Sequence, residues 1–138
     1  MFGLDLFRRV RASWAVSAAG RAPAGSDEAL NQLRSALRLY PGYPPALRLF
    51  REHRGLAHGG AIYEMTVKAD TPSASARGFI QVFEVQARSP EDAMGMIRDL
   101  LDLPLHSAQL VESKVLSAKA GDGMRGVYAA SGRIFFRQ

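Results

Sequence analysis

The sequence predicts an α+β protein in which three N-terminal helices precede a small ββαββ sheet, antiparallel or mixed, with one helix packed on it. Two observations support this class. Apolar residues recur at helical spacing through residues 2–56, and they alternate with polar residues from Tyr63 onward. We therefore divide the chain into an arginine-rich helical segment at 1–58 and a small α+β domain at 60–138.

Residues 2–18 form the first predicted helix. Its large apolar residues share one broad stripe: Phe2, Leu6, Phe7, Val10 and Trp14. We expect this stripe to cover a hydrophobic face of the same protein, with Trp14 as its main anchor. An organellar presequence or a membrane-surface helix are the alternatives, whereas Asp5, which precedes the basic cluster, argues against a secretory signal.

A helical hairpin is predicted at 26–56. Ser26 is the N-cap of a helix that runs to Tyr40, and Pro41-Gly42 ends it. A third helix opens at Tyr43-Pro44-Pro45 and ends around Gly55. Its predicted inward residues are Ala46, Leu47, Phe50 and Ala57.

Part of this hairpin resembles a tetratricopeptide repeat. Ala29, Leu33, Ala36 and Pro41 have the small, large, small and proline spacing of the second helix of such a repeat. The resemblance covers about one helix and one turn, and the first signature positions after Trp14 do not match it. Because such repeats need about three stacked copies for stability, the resemblance implies a repeat-like hairpin that docks on the second half of the chain.

The α+β domain begins with two strands that we expect to form a hairpin. Residues 63–69 alternate cleanly, and the partner strand starts at Phe79 after a small polar loop at 71–78. Ser89 then caps a helix with Pro90 at its first position. The apolar stripe of this helix comprises Ala93, Met94, Ile97, Leu100 and Leu101.

Two further strands and a final turn complete the prediction. Val111, Ser113 and Val115 share a face of the third strand, and residues 127–130 form the fourth. Ser131-Gly132 then turns the chain into a small final hairpin with residues 133–136. A right-handed crossover from the second to the third strand is expected.

Composition limits the functional classes. The 138-residue chain has a net charge of +5, and the whole excess lies in residues 1–60, where nine arginines face four carboxylates. There is no cysteine, so a disulfide framework, a thiolate nucleophile and cysteine-ligated metals are excluded. The apolar runs are shorter than the roughly 20 residues of a membrane-spanning helix, so we expect a soluble, cytoplasmic protein.

The sequence contains no recognisable catalytic or metal-binding motif. His53, His58 and His106 do not have metal-ligand spacing, and the serines lack a nucleophile motif. The glycine-rich residues 121–126 lack the lysine of a phosphate-binding loop. We therefore expect no catalytic residues, no metal and no cofactor.

The leading hypothesis is a small non-enzymatic interaction or regulatory protein with an acidic protein partner. The predicted binding residues are Arg34, Arg38, Arg48 and Arg51, which project opposite the apolar stripes of their helices. On an antiparallel hairpin they are expected to approach one another with only Glu52 nearby. The alternatives are a nucleic-acid-binding protein that uses the arginine-rich helices, and an enzyme whose site the sequence conceals; the oligomeric state stays open.

Overall fold

The computed structural model describes residues 2–70, 78–102, 107–117 and 123–136, with side chains from residue 6 onward, and confirms the α+β class. The helices of the described chain are α1 (Phe2–Arg21), α2 (Asp27–Leu39), α3 (Pro44–Arg54) and α4 (Pro90–Leu101). Its strands are β1 (Ala61–Asp70), β2 (Gly78–Ala87), β3 (Ala108–Ser117), β4 (Gly126–Ala130) and β5 (Ile134–Phe136). Residues 71–77 of the predicted loop lie outside the described residues, and its last residue, Gly78, is the first residue of β2.

The sheet is antiparallel throughout, in the order β3-β1-β2-β4, with β5 also paired to β2. The predicted β1–β2 pairing is confirmed over ten residues of each strand. The predicted final hairpin is wrong, because β4 and β5 lie one after the other along the same edge of β2. Ser131 explains this arrangement: its backbone N–H donates to the carbonyl of Val82 at 2.8 Å, and its hydroxyl accepts from the amide of Val82 at 2.9 Å.

One hydrophobic core joins the helices to the sheet. The sheet buries a single face through alternate residues such as Met65, Val67 and Phe83, and α4 covers that face with Ala93 and Ile97. Buried residues of α1, α2 and α3 belong to the same cluster. The two predicted segments therefore share one core, and independent folding of residues 60–138 stays a prediction.

Helix ends follow the local sequence signals. The hydroxyl of Ser26 accepts from the amide of Ala29 at 3.2 Å, and that of Ser89 accepts from the amide of Asp92 at 3.0 Å. Gly55, with φ +60°, ends α3 in a left-handed conformation. The prediction that Ala57 faces inward is wrong, because α3 has already ended and Ala57 is exposed.

The first helix packs with the opposite face from the one predicted. Ala12, Ala15 and Ala19 form its buried side, which packs largely against α2. Trp14 is 67% exposed, and Leu6, Phe7 and Val10 are exposed as well. Alanine explains the reversal, because small side chains let two helices approach closely and bulky ones then remain outside.

Candidate interaction surface

Arg34 is an internal structural residue. Its side chain is only 10% exposed and forms a 3.0 Å ion pair with Asp99 of α4. Its Nε also donates to the backbone carbonyl of Asp99 at 3.0 Å. Arg54 donates to the same carboxylate, from Nε to Oδ2, at 2.7 Å. Asp99, which lies in the second half of the chain, thus neutralises two arginines of the first half.

Arg51 is also held inside the fold. Its Nη1 donates to the carbonyl of Val127 at 2.8 Å, and its guanidinium lies 3.8 Å from the centre of the Tyr128 ring. Burial lowers the pKa of Arg51, partly offset by Tyr128. Gly126 makes room for this side chain, because a Cβ atom there would lie 2.7 Å from Cγ of Arg51. Arg51 therefore fastens α3 to β4.

Arg38 and Arg48 are the two predicted binding residues that remain exposed. Arg48 has only a loose contact with Glu52, 3.9 Å between Nε and Oε1, and both side chains are more than half exposed. Arg38 donates to the carbonyl of Arg34 at 3.4 Å. A role for these arginines in partner binding stays a prediction, and the predicted surface is reduced to Arg38 and Arg48, because Arg34 and Arg51 are committed to internal contacts.

A small cationic cleft lies between α2, α4 and the sheet, and sequence reasoning missed it. Arg34, Arg38 and Arg133 line it together with Gln81. The Arg133 guanidinium lies 4.5 Å from the ring centre of Phe79, and burial, with a smaller effect from Arg38, lowers its pKa. The buried Oε1 of Gln81 and Nε of Arg133 have no hydrogen-bond partner among the described residues. Only the tertiary fold brings these groups together, since Gln81 and Arg133 are far apart in sequence.

The exposed apolar residues of α1 form the first large candidate surface. We define the α1 stripe as Leu6, Phe7, Val10 and Trp14. At 100° per residue Arg9 lies along one border of the stripe and Arg11 along the other. The Arg9 guanidinium is 5.5 Å from the ring centre of Tyr40, and that of Arg11 is 5.6 Å from that of Phe7. The stripe is thus apolar along its centre and cationic at both borders. The alanines at three- and four-residue spacing were the sequence signal for this orientation.

The edge strand β3 forms a second exposed surface. Only Ala108 is buried, while Leu110, Val111, Val115 and Leu116 are all exposed. The predicted shared face of Val111, Ser113 and Val115 is interrupted, because Val67 pairs with Leu110 and Thr66 with Glu112, so that Val111 sits in a bulge. Isolated exposed apolar residues are ordinary, but β3 exposes two apolar pairs, one on each side of its polar centre at residues 112–114.

The described residues offer little for metal chemistry. No group of three or more His, Cys, Asp or Glu side chains is close enough to hold a metal within the ranges that the structure describes. His53 accepts, at Nδ1, the amide of Gly25 at 2.8 Å, which is a structural contact. His106 and Gly121-Asp122 lie outside the described residues. Among the helices of the described chain, none is both long and apolar enough to cross a bilayer.

Comparison with known proteins does not add a family. The chain matches no protein-family model, and no curated protein and no solved structure is significantly similar to it. The resemblance of 26–56 to a tetratricopeptide-repeat hairpin therefore stays a prediction.

Proposed function

We propose that this is a non-enzymatic protein-interaction protein that docks the α1 stripe in an apolar groove of an acidic partner. The observation that carries the proposal is the outward orientation of Trp14, Phe7 and Leu6, which are 67%, 56% and 64% exposed. Large aromatic side chains are the commonest anchors of protein interfaces. A cytoplasmic location is part of the same proposal.

The spacing of the stripe favours a groove in a protein. Phe7, Val10 and Trp14 stand at positions i, i+3 and i+7, which is the anchor pattern of a helix that lies in a hydrophobic groove. The other side of α1 is occupied by its alanine contact with α2. The helix therefore presents its anchors on one preformed element, which lowers the ordering cost of binding.

The charges around the stripe favour an acidic rim on the partner. Arg9 and Arg11, which border the stripe, are exposed, and so is Arg21 at the end of the helix. Acidic groups around the partner's groove would attract these arginines, raise the association rate and fix the orientation of docking. Exposed Arg38 and Arg48 extend the cationic surface in the same segment of the chain.

An anionic membrane surface is the second candidate, because an apolar stripe bordered by arginines and containing Trp14 also suits a lipid interface. We prefer a protein groove to a membrane surface, because the three anchor residues lie within about two turns of the helix. Nucleic acid is the third candidate, because its phosphates would bind the same arginines.

Site-specific crosslinking in the native host tests the proposal. A photoreactive p-benzoylphenylalanine in place of Trp14 is expected to capture one defined acidic protein, whereas the same group in place of exposed Ser35 on α2 is not. The purified partner should then bind the full chain, and Trp14→Ala should weaken this binding at least about tenfold. Reversal of Arg9 and Arg11, the two arginines that border the α1 stripe, should weaken it more at low salt than at high salt.

Intrinsic fluorescence separates the alternatives, because Trp14 is the sole tryptophan. Its emission should shift to the blue with the purified partner and stay unchanged with phosphatidylglycerol vesicles or duplex DNA. A shift with anionic but not neutral vesicles would favour the membrane surface. A steep linear dependence of log affinity on log salt across unrelated sequences would favour nucleic acid. Equal crosslinking from the Ser35 and Trp14 positions would contradict the proposal that the α1 stripe is the binding surface.

A further inference from the structure

The outer edge of β3 is open to pairing. β3 is the terminal strand of the sheet, and β1 is its partner on the inner side. Within the described ranges no strand covers the outer side, and residues 109–116 are exposed. An edge of this kind presents unpaired backbone N–H and C=O groups to any extended segment that fits. The side chains of β3 determine which segment fits.

The exposed residues of β3 are complementary to themselves. Residues 110–116 read Leu-Val-Glu-Ser-Lys-Val-Leu, which is symmetric about Ser113 except that Glu112 on one side corresponds to Lys114 on the other. In an antiparallel pair of two such strands centred on Ser113, Glu112 of one copy lies directly opposite Lys114 of the other. This charged pair occurs twice, once on each side of the axis. Opposite charges directly across from one another are stabilising cross-strand pairs of a sheet. Val111 and Leu116 lie at the two bulges of β3, outside this regular centre.

The same residues disfavour the neighbouring registers. In a twofold-symmetric antiparallel pair the residue on the axis faces its own copy. Moving the axis by one residue places either Glu112 opposite Glu112 or Lys114 opposite Lys114. Like charges directly opposite one another are destabilising. The register centred on Ser113 is thus favoured by its own pairs and protected by the repulsion in the adjacent ones.

The centre of β3 has the regular geometry that this register needs. Glu112, Ser113 and Lys114 pair in sequence with Thr66, Met65 and Glu64 of β1, and the bulges lie outside these three residues. Because Met65 is buried on the face covered by α4, Ser113 lies on that side of the sheet. Glu112 and Lys114 then lie on the opposite side, where each can reach its counterpart in the other copy.

We propose that the protein forms a twofold-symmetric homodimer in which β3 pairs antiparallel with β3 of a second copy, centred on Ser113. The two sheets become one continuous sheet across the axis. Each copy contributes its β3 edge once, so the assembly closes at two subunits. This leaves the α1 stripe available in each subunit.

Charge exchange between two residues tests the proposal in the full-length protein. Sedimentation velocity over a concentration series should show a dimer for the unmodified chain. Glu112→Lys and Lys114→Glu should each weaken dimerisation at least about tenfold, because each change replaces two attractive pairs by two repulsive ones. The double variant E112K/K114E should restore the dimer to within about threefold, since it recreates both pairs.

Three outcomes would overturn the proposal. The unmodified chain could be monomeric throughout the series, the single reversals could dimerise normally, or the double variant could dimerise no better than either single variant. Both side chains are exposed, so cooperative melting of every variant at a concentration where the chain is monomeric should exclude misfolding as the cause. A modest decrease is expected for Lys114→Glu, because it places a glutamate opposite Glu64 of β1.

A cysteine on the axis locates the interface. The chain contains no cysteine, so Ser113→Cys introduces a single thiol that lies opposite its own copy. Under mild oxidation this variant should form a disulfide-linked dimer much faster than Ser35→Cys, a control on the exposed side of α2. Equal rates for the two variants would show that β3 does not face its copy and would contradict the proposal.

Discussion

Arg34 contacts Asp99 at two points, through an ion pair with its carboxylate and a hydrogen bond to its backbone carbonyl, each 3.0 Å long. These residues are separated by 65 positions and belong to α2 and α4. The contact joins the arginine-rich segment to the α+β domain. Part of the positive charge that looks unpaired in the sequence is therefore neutralised within the fold.

Loss of Asp99 should destabilise the protein. Asp99→Ala removes the partner of a guanidinium that is only 10% exposed and also leaves Arg54 without its carboxylate. We expect a cost of about 2 kcal/mol in the free energy of unfolding, measured by urea denaturation. Arg48→Ala is the matched control, because its pairing with Glu52 is loose and exposed. An equal loss of stability in both variants would contradict the structural role of Asp99.

Truncation of Ile97 should create a cavity beneath α4. Its side chain is fully buried in the core between α4 and the sheet. Ile97→Ala is expected to cost about 2 to 4 kcal/mol, again measured by denaturation. Ile134→Ala removes the same side chain from a site that is 70% exposed and should cost far less. A neutral Ile97→Ala variant would mean that α4 does not lie on the sheet as described.

The N-cap and the middle of α4 can be tested by substitutions with opposite effects on stability. Ser89→Ala removes the hydroxyl that accepts from the amide of Asp92 and should cost about 1 kcal/mol. Gly95→Ala should instead stabilise the protein by about 0.5 to 1 kcal/mol, because a Cβ there has nothing within 4 Å and the helix gains propensity. Thermal melting measures both changes. Shifts of the same sign would be inconsistent with this helix.

Residues 60–138 should fold without the N-terminal segment. This fragment keeps all five described strands and α4, and its formal charges balance. It loses the cover of Leu47 and Phe50 and the two arginines on Asp99, so its melting temperature should fall below that of the full chain. Dispersed amide resonances and cooperative melting are expected. A molten or aggregated fragment would show that the shared core is indivisible.

Charge reversal should divide the four predicted binding arginines into two classes. Reversal of exposed Arg38 and Arg48 should leave melting unchanged and weaken an acidic partner at low salt more than at high salt. Reversal of Arg34 or Arg51 should lower the melting temperature, because each makes buried contacts across the fold. Comparison of melting and binding for the two pairs checks this division. Equal melting for both pairs would contradict it.

Local signals in the sequence predicted the elements well. Ser26 and Ser89 mark helix starts through side chains that reach only three residues ahead, and alternation marks β1 and β2. The partner of β5 was not predictable in this way, because it depends on Ser131 contacting Val82 across the sheet. The internal contacts of Arg34 and Arg51 were not predictable for the same reason. Asp99 and Val127 are remote in sequence from the arginines they hold.

The packing of α1 depended on a weak signal. Large apolar residues dominate any estimate of an amphipathic face, so Trp14 and Phe7 outweighed three alanines. The fold selects the alanines because they permit close approach to α2. The α1 stripe, on which the proposed function rests, is therefore the face that the sequence pattern assigned to the interior.

The alanine contact also sets how firmly α1 is held. Ala12, Ala15 and Ala19 are small side chains, so α1 itself contributes much less buried apolar area to its contact with α2 than a leucine-rich helix would. We expect α1 to open in a local event far below the free energy of global unfolding, and its amides to exchange with deuterium before those of β1, β2 and α4. A partner that engages the α1 stripe would then slow this exchange in α1 while leaving the slowest amides of the sheet unchanged.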